Sequence, residues 1–234
     1  MSAMPPTTIY HGTPLTPARA LPQLAGRHFC VSFWRPDSVV GVEAVAAGVM
    51  YDCGEFSRYT QAQRLGLECV PLDPEPYYGW LEPRLFHPGR WAVIPDVIDA
   101  GSQLQDAMLA TWPFGHRGAP VWHTDEPMAR LLRLIQQGWP RICIGSSGEH
   151  WQVGSDVWRA RMDEVWQVLG RQRALPAIHM LRGTAVAHLY PFASADSTSL
   201  AQNSHRYRMP LFAGTPAEFS GLVAYADKLE RRRA

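Results

Sequence analysis

Tyr190-Pro-Phe-Ala-Ser-Ala-Asp-Ser-Thr-Ser-Leu-Ala-Gln-Asn203 reads as a buried strand, Phe192 to Asp196, that ends in a carboxylate and opens into a run of small hydroxyl residues. In a parallel α/β protein the C-terminal end of a strand is where chemistry is kept. A strand-end Asp followed by Ser and Thr is also a common turn or helix cap. Whether Asp196 is cap or chemistry depends on whether the pattern recurs.

It does recur. His28 to Phe33 reads as a short buried strand, followed by a helix from Val39 to Ala47 with Asp37 or Ser38 as its cap. Val49 to Gly54 is a strand ending in Asp52, and a helix over 57–65 follows, stopped by Gly66. Trp91 to Asp96 is a third strand ending in an acid, followed by a helix over 102–111. Ala119 to His123 and Arg141 to Gly145 are the fourth and fifth strands. Their helices run from Pro127 to Gln137 and from Asp156 to Arg171. In the second of these, Trp158, Met162, Val165, Trp166 and Leu169 share one face at helical spacing, which marks core. Ala177 to Leu181 and Phe192 to Asp196 complete seven strands, and Met209 to Ala213 is a candidate eighth. Thr215-Pro-Ala-Glu218 has the form of a capping box for a last helix, which runs into a basic tail of Lys228, Arg231, Arg232 and Arg233. Short apolar strands alternating with helices mean parallel β/α units, and seven or eight of them predict an α/β fold of the (β/α)8 TIM-barrel type.

The chain is therefore expected to form one barrel domain over residues 1–234, with residues 1–26 as an irregular lead-in and 215–234 as a C-terminal helix and tail. Residues 70–90, dense in Pro, Tyr and Trp, are expected to form an irregular insertion. A hydrophobic content of 46% with 18% charged residues suits a sizeable core. A net charge of +1 excludes a strongly basic nucleic-acid coat but not a local basic groove. The basic pairs Arg171 with Arg173 and Arg206 with Arg208 are candidates for such a groove. Cys30, Cys53, Cys69 and Cys143 form no C-x-x-C pair, so no metal is expected. No G-x-G-x-x-G follows the first strand and no P-loop occurs, so no nucleotide cofactor is expected. No signal peptide or membrane-length apolar run is visible, which sets a cytoplasmic expectation.

Read as a barrel, the strand ends bring Asp52, Asp96, His123, Gly145, Ser146, His179 and Asp196 to one mouth. Three carboxylates there suit acid/base and nucleophilic work, and their crowding should leave at least one protonated. The motifs that carry these residues resemble the tRNA-guanine transglycosylase superfamily. They are most similar to its compact branch, the deazaguanine DNA transglycosylases of phages and bacterial genomic islands. Tyr51-Asp-Cys-Gly-Glu-Phe56 resembles the family's D-S-G-G-F stretch, Pro95-Asp96 its purine-gripping Asp, and Ile144-Gly-Ser146 its glycine-rich turn. Ile178-His-Met-Leu-Arg-Gly183 resembles the strand before the nucleophile, and Asp196-Ser-Thr-Ser199 the nucleophile itself. His123 stands where the tRNA enzymes use Gln, and their C-x-C-x-x-C…H zinc site has no counterpart.

The resemblance implies Asp196 as nucleophile and Asp52 as general acid/base. It implies Asp96, His123, Gly145, Ser146 and His179 around the base, with Ser197–Ser199 orienting the nucleophile. The implied partners are DNA with a flipped-out guanine and a free 7-deazaguanine such as 7-cyano-7-deazaguanine, with room for a helper protein that opens the duplex. The implied setting is a bacterial cell, with a phage gene as one origin. Readings left open are the same chemistry on RNA, another two-carboxylate glycosidase or nucleosidase, and a base- or nucleic-acid-binding module without activity.

Overall fold

Thr8–Gly12 (T-I-Y-H-G) is a strand, β1, and it lies in the middle of the sheet between two parallel neighbours. In the computed structural model, which describes residues 6–98 and 100–231, the elements follow in order. They are β2 (His28–Ser32), α1 (Val39–Val45), β3 (Gly48–Asp52), α2 (Glu55–Leu65), α3 (Glu75–Leu85), β4 (Arg90–Val93), α4 (Ser102–Ala110), β5 (Gly118–Ala119) and β6 (Val121–His123). Then come α5 (Met128–Gln136), β7 (Arg141–Gly145), α6 (Asp156–Leu169), β8 (Ala177–Met180), β9 (Ser194–Ser197), α7 (Ser199–Asn203) and α8 (Ser220–Glu230).

Every paired strand runs parallel, in the order β5-β4-β3-β2-β1-β9-β8-β7-β6. The two ends of that order are neighbours in the chain, separated only by Pro120. Proline has no N–H to give a ladder, so the strand pairing is interrupted there. β5 pairs with β4 and β6 with β7, while the Cys143 amide donates to the Pro120 carbonyl at 2.9 Å. The sheet thus curls into a nearly closed barrel of parallel strands with helices outside.

Alternation along each strand divides the core. Tyr10, Cys30, Met50, Trp91, Val93, Ala119, Val121 and Cys143 fill the barrel interior, with Trp91 Nε1 donating to the Tyr10 hydroxyl at 3.0 Å. The residues between them, such as Phe29, Val31, Ile142 and Ile144, face the helices in two outer clusters. The amphipathic face of α6 buries Trp158, Met162, Val165 and Leu169, as its spacing predicts. At its start, Ser155 accepts the Trp158 amide as an N-cap.

Four expectations change. Residues 6–26 are not an irregular lead-in; they hold β1 and a 3-10 segment, Ala18–Leu24, that packs Ala20, Leu21 and Leu24 into the core. Two apolar residues in a five-residue run give β1 little signal of its own, and its stability comes from strands on both sides. The insertion at 70–90 contains a helix, α3, that buries Tyr77, Tyr78, Leu81 and Leu85. Its prolines sit at the first turn, where a missing N–H costs nothing, and near the end. Met209 to Ala213 is not a strand: Pro210–Phe212 is an exposed 3-10 turn. Finally, Thr215 and Glu218 do not form a capping box. The Glu218 carboxylate accepts the Gly214 amide at 3.0 Å and pairs with Arg19 and Arg208, and α8 begins only at Ser220. Arg232 and Arg233 of the basic tail lie outside the described residues.

Candidate functional site

The C-terminal strand ends surround a cavity of about 990 Å³, lined by Asp52, Asp96, His123, Gly145, Ser146 and Asp196 among others. Six of the seven residues expected at the mouth therefore share one surface. The seventh, His179, does not line it. It stands one side-chain layer lower, wholly buried in the barrel beside Tyr10 and Trp91.

Asp196 is positioned by neighbours on a different connection. Its Oδ1 accepts the Arg182 backbone amide at 2.9 Å and faces His179 Nε2 at 3.2 Å. A carboxylate can only accept here, so Nε2 carries the proton and Nδ1 takes the Ser194 hydroxyl proton at 2.8 Å. Burial lowers the His179 pKa against the pull of Asp196, which keeps the ring neutral. Both bonds fall on one oxygen, and no protein partner holds Oδ2 among the described residues. Asp196 does not cap the turn or helix that follows it; it holds the backbone after β8 instead. The hydroxyl run is not its orienting shell: Ser197 Oγ bonds Ser199 Oγ at 3.0 Å and accepts the Ser199 amide at the start of α7.

Asp52 ends β3, separated from β9 by β2 and β1. Its Oδ2 accepts the Gly54 amide at 3.0 Å, in a turn where Gly54 has φ 84°, a conformation glycine adopts freely. Burial, then the charges of Asp196 and Asp96, push its pKa up to about 7 against the Gly54 and Ser32 hydrogen bonds. Asp52 is thus a carboxyl poised to give or take a proton near neutrality.

Asp96 lies just past β4 and pairs through Oδ2 with His123 Nε2 at 2.9 Å; the Cys53 thiol lies 3.9 Å from Oδ1. Burial would lower the His123 pKa, but its bond to Asp96 and the charges of Asp96, Glu126 and Asp125 raise it on balance. The His123 amide is held by Glu126 at 2.8 Å. Gly145 serves this ring: a Cβ there would lie 3.0 Å from His123 Nδ1. Ser146 Oγ accepts the Trp158 indole N–H at 2.9 Å, so its side chain is engaged by the helix layer.

Among the cavity residues outside the sequence-based set are Arg182 and Glu55. Arg182 follows β8 with φ 57°, the one described non-glycine residue in the left-handed region. That backbone turns its amide toward Asp196, while its guanidinium donates to the Ser146 carbonyl at 2.9 Å and lies 3.8 Å over the Phe56 ring. Such strain at a site is held by the surrounding bonds. Glu55, in the D-C-G-E-F stretch, is buried and paired with Arg58 at 2.5 Å, and burial raises its pKa. An Arg beside a Gly at a strand end, and an acid in a glycine-rich turn, were the available signals.

The basic pairs fare differently. Arg171 and Arg173 follow α6 and precede β8, which puts them at the N-terminal end of the barrel, away from the cavity. Arg208 is bound to Glu218, and Arg206 sits in an exposed turn; neither lines the cavity. None of these four forms a track into the site. Among the described residues no group of three or more His, Cys, Asp or Glu is placed to hold a metal ion, and no helix is long and apolar enough to cross a membrane.

No protein-family model matches this chain, and no curated protein or solved structure matches it either.

Proposed function

We propose that the protein is a pentosyltransferase that exchanges guanine in DNA for a 7-deazaguanine through a covalent glycosyl–aspartate intermediate. The observation that carries this reading is the pairing, in one cavity, of a carboxylate pinned through a single oxygen with a carboxyl whose pKa lies near 7. The scaffold fits it as well. Residues 118–123, counted as one strand broken at Pro120, make the barrel eight-stranded, the (β/α)8 arrangement whose active sites lie at this end.

Asp196 Oδ2 attacks C1′ of the target nucleotide, forming a C1′–O bond as the C1′–N9 bond to guanine breaks. Protonated Asp52 gives its proton to the departing base. The resulting Asp52 carboxylate takes the N9 proton of the incoming 7-deazaguanine. Its N9 bonds to C1′ and Asp196 is released as a carboxylate. Asp96 uses one lone-pair site of each oxygen on His123 and Cys53 and retains acceptor capacity for N–H groups of a purine edge.

The test is incorporation. Guanine-containing DNA and, in parallel, tRNA are incubated with the protein and labelled guanine or 7-cyano-7-deazaguanine, and label is sought in the polymer. Label in DNA is expected; its absence from both polymers sinks the reading, and label in tRNA alone moves it to RNA. Asp196→Ala is expected to abolish incorporation and any adduct that survives denaturing electrophoresis. Full activity of that variant would remove Asp196 as nucleophile.

A further inference from the structure

The β3-to-β4 connection carries two helices, and they do different work. α3 packs the barrel wall with Tyr77, Tyr78, Leu81 and Leu85. α2 buries Glu55 alone and stands at the mouth. Ser57, Gln61 and Arg64, at helical i, i+4, i+7 spacing, line the cavity. A helix with one fully buried residue draws little from core packing, so its polar cavity-facing stripe calls for another explanation.

Charge is graded along the cavity. The floor holds Asp52, Asp96 and Asp196, a region that repels phosphate. The rim holds Arg35 and Arg64, both exposed, and neither has an ion-pair partner among the described residues. On α2 the single acid, Glu55, is already neutralised by Arg58, so the helix presents a net positive rim. Two aromatic rings flank the entrance beside Gly54. Trp34 is 42% exposed, and Phe56, 41% exposed, carries Arg182 over its ring. Unpaired arginines beside part-exposed aromatic rings, above an acidic floor, match a chain of phosphates bearing an unstacked base.

The geometry points to the β2–α1 turn and α2 as the docking surface for a single DNA strand, with Arg35 and Arg64 on phosphates and Trp34 and Phe56 stacking on bases next to the one that enters the cavity. The identity of the strand rests on the base-exchange reading above; the location of the surface does not.

The experiment is fluorescence anisotropy of a labelled guanine-containing single-stranded oligodeoxynucleotide over a salt series, with the full chain. The joint variant Arg35→Ala, Arg64→Ala is expected to weaken binding and to reduce the log–log salt slope by about 1.4, from about 0.7 per phosphate contact. Trp34→Ala and Phe56→Ala are each expected to weaken binding at least ~5-fold with the slope unchanged. The joint variant Arg171→Ala, Arg173→Ala, at the other end of the barrel, is expected to bind as the parent does. Five of the six substituted side chains are free of described ion-pair or ring partners, the exception being Phe56, which holds Arg182, and thermal melts check folding throughout.

Unchanged affinity and slope in the Arg35, Arg64 variant would overturn the surface, as would tighter binding of an RNA strand or of an intact duplex. Label exchange is measured on the same variants. Exchange absent while the strand still binds through α2 would sink the transferase and leave the docking surface standing. Exchange and binding both indifferent to the rim variants would sink the surface and leave the transferase.

Discussion

Asp52 is a carboxyl that the fold makes reluctant to ionise. Its ordinary pKa near 4 rises to about 7, so ionising it costs more in the native state than in the unfolded chain. The stability this group contributes is full below about pH 4 and is lost as the pH rises through 7. Asp52→Asn removes the charge and keeps an acceptor for the Gly54 amide. The three-unit gap corresponds to about 4 kcal/mol, and the cavity's solvent halves it. Asp52→Asn should therefore be about 2 kcal/mol more stable than the parent at pH 8, with the two converging below pH 4 in urea titrations. Base exchange should fall about 10²–10⁴-fold in the same variant.

In the proposed exchange His179 acts through Asp196, to which it is hydrogen-bonded. His179→Leu should lower kcat about 10- to 100-fold with KM little changed, while His179→Gln, which keeps a donor, should lose less. Equal losses in kcat and KM would make His179 a substrate contact. At this scale Asp52, Asp96, His123 and Asp196 were legible because each ends an apolar run. His179 was misplaced because strand parity shows which side a residue faces but not which layer it occupies. Arg182 escaped because its part in the site is played by a backbone conformation.

Among elements, β1 shows most clearly what local pattern misses. Gly12 ends it against β9, where an added Cβ would meet Thr198 Cγ2 at 2.9 Å and the Ser197 carbonyl at 3.1 Å. Gly12→Ala should cost about 1–3 kcal/mol in denaturation and slow exchange, because the shift falls on the strand that carries Asp196. Adding Thr198→Ser removes the nearest atom but leaves the carbonyl, so it should restore part of the loss, a coupling a double-mutant cycle measures. α3 was hidden by its prolines, which mark loops when counted and helix starts when placed. Elements with a strong period, α5 and α6, were legible nearly to their ends, because there burial and repeat coincide.

The curled parallel sheet was legible as an alternation, but β1 went unread and a strand was sought at 209–213 instead. The far end of the chain secures β1 and β2. Arg27, just before β2, bridges Asp227 and Glu230 of α8, and His11 of β1 bonds Glu230 at 2.8 Å. Burial would raise the Glu230 pKa, but His11 and Arg27 lower it on balance, so this clamp strengthens above pH 4 and fades as carboxylates protonate below it. Glu230→Gln should cost on the order of 1–3 kcal/mol at pH 7, with the difference shrinking as the pH falls below the ordinary carboxylate range, as read by urea midpoints.

The pairing of β1 with β9 also sets a timetable. The Thr7 hydroxyl donates to the Phe192 carbonyl across 185 residues of sequence, and the strands beside them share that separation. During synthesis, β1 leaves the ribosome with a partner on one flank only, and the other flank waits until β9 has been translated. Until then both edges of the growing sheet are open templates for other chains, and the long-range closure that ends this interval is a slow class of folding step. A ribosome that stops before β9 releases a protein with Asp52, Asp96 and His123 in place, no Asp196, and two adhesive edges.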